Sequence, residues 1–523
     1  MAATDEQRDK MDPVIENFLH LRKKIISPET DAAERCQLAA RLLSALAQAD
    51  LSQYAHANAR SQDDVHLLMC QCVRDAMPPL SAVDLFEHCQ ADLLCLLTKA
   101  PPSVRDATMA EITQQLKRDP VECVRLLCSS ARALSIAVAR LLPGTDASTA
   151  ACLGLIAAIA AVPGGAAQLF ALPEFANELH GHLKSTNAER RFKVHDLTVQ
   201  LAVDSAADTD VLQELERVGL VDGLVRELDH ADDVLCQMNA LECLADLCAR
   251  SRAAVQLLHQ RNVLRRLYEM LLAAMEQPDA GFLFVGVMRF FGYMAAAHPS
   301  ECHAQFPRFY QCVFSLCHNY DSLDAAQRLL AIDTLCIVAR SPAGKMVLAQ
   351  HDAKMRPIMA VLARAISRAP VDLRQRHLEA MIDLFHLPLS EQTTTLLDTT
   401  ARWFVWLDPS TANYGQALFG LYKQPIAQTR YAAGAVLKEL AVQPWAQQMM
   451  ANINGFIDYL LDRGTESEHP GRQLKYDLIC TLLDSPTVDA AFDADLLLRM
   501  QLYRRQGVHF VEATTEIAFE GAD

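Results

Sequence analysis

Apolar residues recur with the period of a helix along nearly the whole chain. From Val234 to Arg250, Leu235, Met238, Leu241, Leu244 and Leu247 return every third residue, with Cys248 in the fourth-residue slot. Val263, Leu264, Leu267, Met270 and Leu271 do the same in the next segment. Pro13 to Ile26 reads as a first helix. Alternation with period two is largely confined to the tail, His509 to Phe519, where Phe510-Val511 and Ile517-Ala518-Phe519 flank a threonine pair. The pattern predicts an all-α chain.

Four places repeat one motif: a helix, a short break, a small residue, and an apolar residue four positions later. They are Val162-Pro163-Gly164-Gly165 to Leu169, Ser251-Arg252-Ala253-Ala254 to Leu258, Ser341-Pro342-Ala343-Gly344 to Leu348, and Gln443-Pro444-Trp445-Ala446 to Met450. Their spacing is roughly twice the 40–47 residues of one armadillo or HEAT unit. Degenerate units are therefore expected between them, such as Arg191 to Leu228 and Leu373 to Trp406. Each unit leaves an apolar face that only its neighbour can bury. The expected fold is an armadillo/HEAT-like helical solenoid, a superhelical array over 31–505, with a capping helix region over 1–30 and a tail over 506–523.

Length fits this picture. At 523 residues the chain exceeds the roughly 250–300 at which one compact core stops growing. Leu and Ala rather than aromatics (6%) supply the apolar content, which favours helices over sheets. The uncharged stretch from Ala147 to Leu172 is long enough to span a bilayer, but Pro163-Gly164-Gly165 breaks it, so a buried helix pair is expected and no membrane. The net charge of −16 argues against nucleic acid. Sixteen cysteines sit in apolar helical stretches, the N-terminus Met1 to Lys10 is polar, and no Asn-x-Ser/Thr sequon occurs. Together these predict a reducing compartment with buried free thiols.

No catalytic motif appears. The phosphate-cradling Gly-rich loop, the dinucleotide fingerprint, His-Glu-x-x-His and the Gly-x-Ser-x-Gly elbow are all missing. The nearest approach to a metal site is Cys302-His303 with Cys312, Cys317 and His318. Cys312 and Cys317 stand five apart, which on a helix points them to separate sides. His180 and His182 likewise diverge. Asp232-Asp233 reads as a helix N-cap, and Trp403–Trp406 as core packing ahead of a partner anchor. The expectation is no enzyme, no metal and no cofactor.

Several segments carry a family resemblance. Gly281 to Ala295 reads GFLFVGVMRFFGYMA, and Pro370 to Pro388 reads PVDLRQRHLEAMIDLFHLP. QPWAQ at Gln443 to Gln447 is followed by GFIDYLLDR at Gly455 to Arg463, and the chain ends VEATTEIAFEGAD. From about residue 150 to the end, the chain resembles the 26S proteasome non-ATPase regulatory subunit 5 family. The resemblance implies an armadillo/HEAT-like chaperone in assembly of the 26S proteasome. Such proteins bind ATPase subunits of the 19S regulatory particle base through the C-terminal small domain of the ATPase. A large non-ATPase scaffold subunit shares that intermediate, and the chaperone is absent from the mature particle. A monomer before binding is expected, in the cytoplasm and with the nucleus also open.

In such an array the last helix of each unit lines the partner-facing side. On that ground Arg265, Arg266, Glu269, Arg356, Arg364, Asp458 and Arg463 are the candidate partner-binding residues. Two other readings stand beside this one. An armadillo/HEAT-type adaptor would hold a different partner in its groove, but Asn239, Asn262 and Asn413 form no ladder. An enzyme would use a non-standard site between Cys302 and His318.

Overall fold

The computed structural model describes residues 13–49, 59–144, 146–204, 209–230, 233–276, 281–408 and 413–510. Regular structure among them is helical throughout, with no strand. Contacts gather the chain into two units, residues 1–263 and 264–523.

Both units are built alike. In the first, the long helices Ala59–Ala76, Pro102–Arg118, Asp146–Ala160, Ala188–Asp204 and Val234–Arg250 pack one on the next as rungs of a ladder. In the second, Gly281–Ala297, Ala325–Ala339, Val371–Phe385, Ala427–Leu440 and His469–Asp484 do the same. Between successive rungs the chain makes one or two further helices that form outer layers. Pro342–Ala349 and Asp352–Arg368, for example, join the rungs Ala325–Ala339 and Val371–Phe385. The first helix, Pro13–Ile26, buries Phe18, Leu21 and Ile25 against its two successors.

The four-fold motif marks the turn that leaves a rung. Ser251 and Ser341 cap the short helix that follows by accepting from the amides of Ala254 and Gly344. The small residue lies against the end of the preceding helix. A Cβ built on Gly165 would stand 2.0 Å from the Ile159 carbonyl oxygen, and one on Gly344 1.8 Å from that of Val338. Ala254 and Ala446 are fully buried at the matching places. The intervening units are present, each with its own rung.

A second periodic signal runs through the rungs. Thr149, Arg191, Gln237, Arg328, Arg374 and Arg430 each occupy the fourth position of a rung. Each reaches back to carbonyls at the end of the preceding helix: Leu142, Ser185, Leu228, Tyr320, Ile366 and Gln424. Carbonyls at helix ends lack the full set of amide donors that the helix interior supplies, and a side-chain donor at this position satisfies them.

Two buried polar side chains do the same for the rungs themselves. Lys345 is fully buried and donates through Nζ to the Ala339 carbonyl; Gln447, at the matching place, donates to that of Ala441 at 2.8 Å. Burial lowers the Lys345 ammonium to about 7 against the pull of Glu439 and Asp383. Because an amide performs the identical task at Gln447, Lys345→Gln is expected to stay within about 1 kcal/mol of the parent, whereas Lys345→Ala leaves a buried carbonyl unpaired and costs about 2–3 kcal/mol. Urea unfolding of the two variants side by side measures the difference.

No helix of the described residues is long and apolar enough to cross a membrane. The uncharged stretch from Ala147 to Leu172 runs through two separate helices, Asp146–Ala160 and Gly165–Phe170.

Candidate protein-binding surface

In the second unit three consecutive rungs present one face each to a shared depression of about 330 Å³. Gly281–Ala297 contributes Arg289, Gly292 and Tyr293; Ala325–Ala339 contributes Leu330, Asp333, Thr334 and Ile337; Val371–Phe385 contributes Arg376, Glu379, Ala380 and Asp383. Within each helix the spacing is three or four residues, which is what places side chains on one face. The middle of the depression is built from small side chains. A Cβ on Gly292 would meet Thr334 Cγ2 at 3.3 Å, so glycine there lets the two rungs approach closely.

The rim is charged and loosely paired. Arg376 lies 3.9 Å from Asp333 and 3.4 Å from Glu379, and Arg340 lies 3.5 Å from Asp383. One rung further, His386 meets Glu439 at 2.8 Å. Burial raises the carboxyls of Asp333 and Asp383, only partly countered by Arg376 and Arg289 in the first case and by Arg340 and His386 in the second. Carboxylates held above their ordinary range gain from a further cation. Long, half-exposed ion pairs of this kind contribute little to folding and can exchange partners at small cost. Tyr293 adds a ring that is 46% exposed; tyrosine and arginine are the side chains that most often anchor protein interfaces.

The residues predicted from sequence lie elsewhere. Arg265, Arg266 and Glu269 are on Val263–Glu276, Arg356 and Arg364 on Asp352–Arg368, and Asp458 on Phe456–Leu461. Each of these helices is the one before a rung. Arg265 is paired with Glu269 at 3.0 Å, Arg364 stands 3.7 Å from Asp321, and Asp458 stands 3.6 Å from Arg499. Arg266 is half-buried and Arg356 exposed. Arg463 departs most from expectation. It is half-buried and donates to the carbonyls of Gly507 and Tyr503, with its guanidinium over the Tyr503 ring at 3.8 Å, so it fastens the final helix.

The other candidates resolve into structure. Asp233 caps Val234–Arg250 by accepting from the Cys236 amide, and Asp232 lies outside the described residues. Trp403 is buried and Trp406 half-buried. His180 and His182 turn to different neighbours, the carbonyls of Val218 and Ala139. Cys302, Cys312 and Cys317 are buried, and burial raises all three thiols, Cys312 to about 12, so they lack thiolate character. Among the described residues no three His, Cys, Asp or Glu side chains are grouped to hold a metal ion.

Residues 15–523 match the family described as Proteasome non-ATPase 26S subunit. The human 26S proteasome non-ATPase regulatory subunit 5 is 30% identical over 353 residues, covering 67% of this chain and 68% of that protein. The mouse protein of that name is 28% identical over 469 residues, 89% of each chain, and the Drosophila melanogaster protein 23% identical over 331 residues, 63% of this chain and 62% of that one. Similar solved structures include Kap121p bound to Ste12p (12% identity, 96% of this chain and 49% of that one, TM-score 0.48) and importin beta (11% identity, 94% and 64%, TM-score 0.43). Two of the segments that carry the resemblance, 281–295 and 370–388, form the outer walls of the depression. The chain belongs to the 26S proteasome non-ATPase regulatory subunit 5 family.

Proposed function

We propose that this chain is a non-enzymatic chaperone in assembly of the base of the 19S regulatory particle. It holds ATPase subunits through their C-terminal small domain, together with the large non-ATPase scaffold subunit, and leaves before the 26S particle matures. The observation that carries the reading is the charged depression on rungs 281–297, 325–339 and 371–385, which offers a protein partner an anchor ring, exchangeable ion pairs and carboxylates short of a cation. Family membership supports a proteasomal partner. A solenoid covering that end of an ATPase would also keep it from docking on the core particle. Release then requires a competitor or a nucleotide-driven change that favours the free state by several kcal/mol.

The test is affinity capture of the tagged chain from cells, with native gels and mass spectrometry. Recovery of ATPase-ring subunits in a small complex free of core-particle subunits is the expected result. Recovery of intact 26S particles would make the protein a resident subunit and overturn the chaperone reading.

A further inference from the structure

We propose that the groove at the C-terminal end of the second unit is the docking site of the chain's own residues 511–523. The groove, about 630 Å³, lies between His469–Asp484, the turn at 462–464 and the final helix Ala494–Gln506. Its apolar lining comes from Leu461, Leu502, Tyr503, Val508 and Phe510.

Three observations converge on this occupant. The first is exposure. Leu498 and Leu502 on the final helix are 64% and 55% exposed. The end of a repeat array must present a polar outer face or be covered, and these two leucines leave an uncovered apolar strip among the exposed polar residues Asp495, Arg499 and Gln501. The second is charge. In a chain of net charge −16, the groove carries Arg463, Arg472, Lys475 and Arg499 against Asp462 alone. Two of these cations are committed: Arg463 to the carbonyls of Tyr503 and Gly507, and Lys475 to those of Tyr459 and Asp462. The other two are not saturated. Arg499 has only a 3.6 Å approach to Asp458, and the buried Nε of Arg472 has no hydrogen-bond partner among the described residues. The third is continuity. The chain enters residue 511 from Phe510, which itself lines the groove and lies 5.2 Å from the Arg463 guanidinium. Residues 511–523 have the complementary composition. Glu512, Glu516, Glu520 and Asp523 are acidic, no residue is basic, and Val511, Ile517 and Phe519 are apolar. Docking places those carboxylates near Arg472 and Arg499 and covers Leu502 with apolar side chains.

Hydrogen exchange read by mass spectrometry on the full chain tests this. Amides of 511–523 should exchange at least tenfold more slowly than in a synthetic peptide of the same sequence. Arg499→Glu, at an exposed position, should return them towards the peptide rate, as should raised salt. Reversing the tail as well, with Glu512→Lys, Glu516→Lys and Glu520→Lys, should restore protection in the Arg499→Glu chain. Exchange in Ala427–Leu440 reports that the unit stays folded. Peptide-like exchange of 511–523 in the parent chain would overturn the proposal and leave the groove to an acidic partner. Protection that ignores both charge reversal and Leu502→Ser would overturn it too, by placing the tail elsewhere.

Discussion

Replacing Glu227 with alanine is expected to cost the first unit about 3–5 kcal/mol, because it strands a buried cation. Glu227 is almost fully buried and receives Arg191 through two parallel hydrogen bonds, Nε to Oε1 at 2.7 Å and Nη2 to Oε2 at 3.0 Å. His195, also buried, donates from Nε2 to the same carboxylate at 3.3 Å. Removing the acid leaves the Arg191 guanidinium largely desolvated and without its counter-charge. Burial alone would raise the Glu227 carboxyl, but the bonds from His195 and Arg191 and the Arg191 charge outweigh it and hold it at about 2, down from 4.5. A group whose folded value is depressed stabilises the fold above its unfolded value and loses that contribution as the pH falls. The pair should therefore be worth about 3 kcal/mol at neutral pH and fade between pH 4.5 and 2. Glu227→Gln should flatten this acid dependence. Urea unfolding at pH 7 and pH 3 measures both effects. The exposed Arg125–Glu122 pair is the control, and its loss should leave the unfolding midpoint nearly unchanged. A loss below about 1 kcal/mol in Glu227→Ala would contradict the account.

The second large effect concerns binding. Tyr293→Ala combined with Arg376→Glu should weaken capture of the proposed ATPase partner at least about thirtyfold, roughly 2 kcal/mol, while leaving the unfolding midpoint nearly unchanged. Tyr293 and Arg376 are both exposed, and the Arg376 ion pairs are long. Arg265→Glu and Arg356→Glu, on the helices that precede the rungs, should bind as the parent does. Titration of the purified ATPase C-terminal domain against each variant gives the numbers. Equal loss in all of them would remove the distinction between the layers.

The helices are legible because their periodicity is strong: Pro13–Ile26 and Val234–Arg250 have the bounds that their apolar spacing predicts. The turn motif is legible too, since Gly165 and Gly344 are dictated by a backbone contact that no Cβ fits. The full repeat is harder to see. Its most regular marker, the donor at the fourth position of each rung, changes identity among Arg, Gln and Thr. Any side chain able to reach an orphan carbonyl serves, so chemistry is kept while sequence is not. That variation hides the rungs in the sequence, and the candidate contacts Arg265, Arg266, Glu269, Arg356, Arg364 and Asp458 lie on helices that precede them. Arg463 reads as a surface charge because nothing local reveals its carbonyl partners, which lie some forty residues on. The depression itself rests on Gly292, Thr334 and Ala380, whose smallness matters only once three rungs lie side by side.

Cross-linking mass spectrometry of the complex captured with the tagged chain tests the central claim most directly. The account predicts that cross-links from the ATPase fall on the rungs 281–297, 325–339 and 371–385 and their exposed rims. Cross-links confined to 263–276 and 352–368, with the rungs bare, would contradict it.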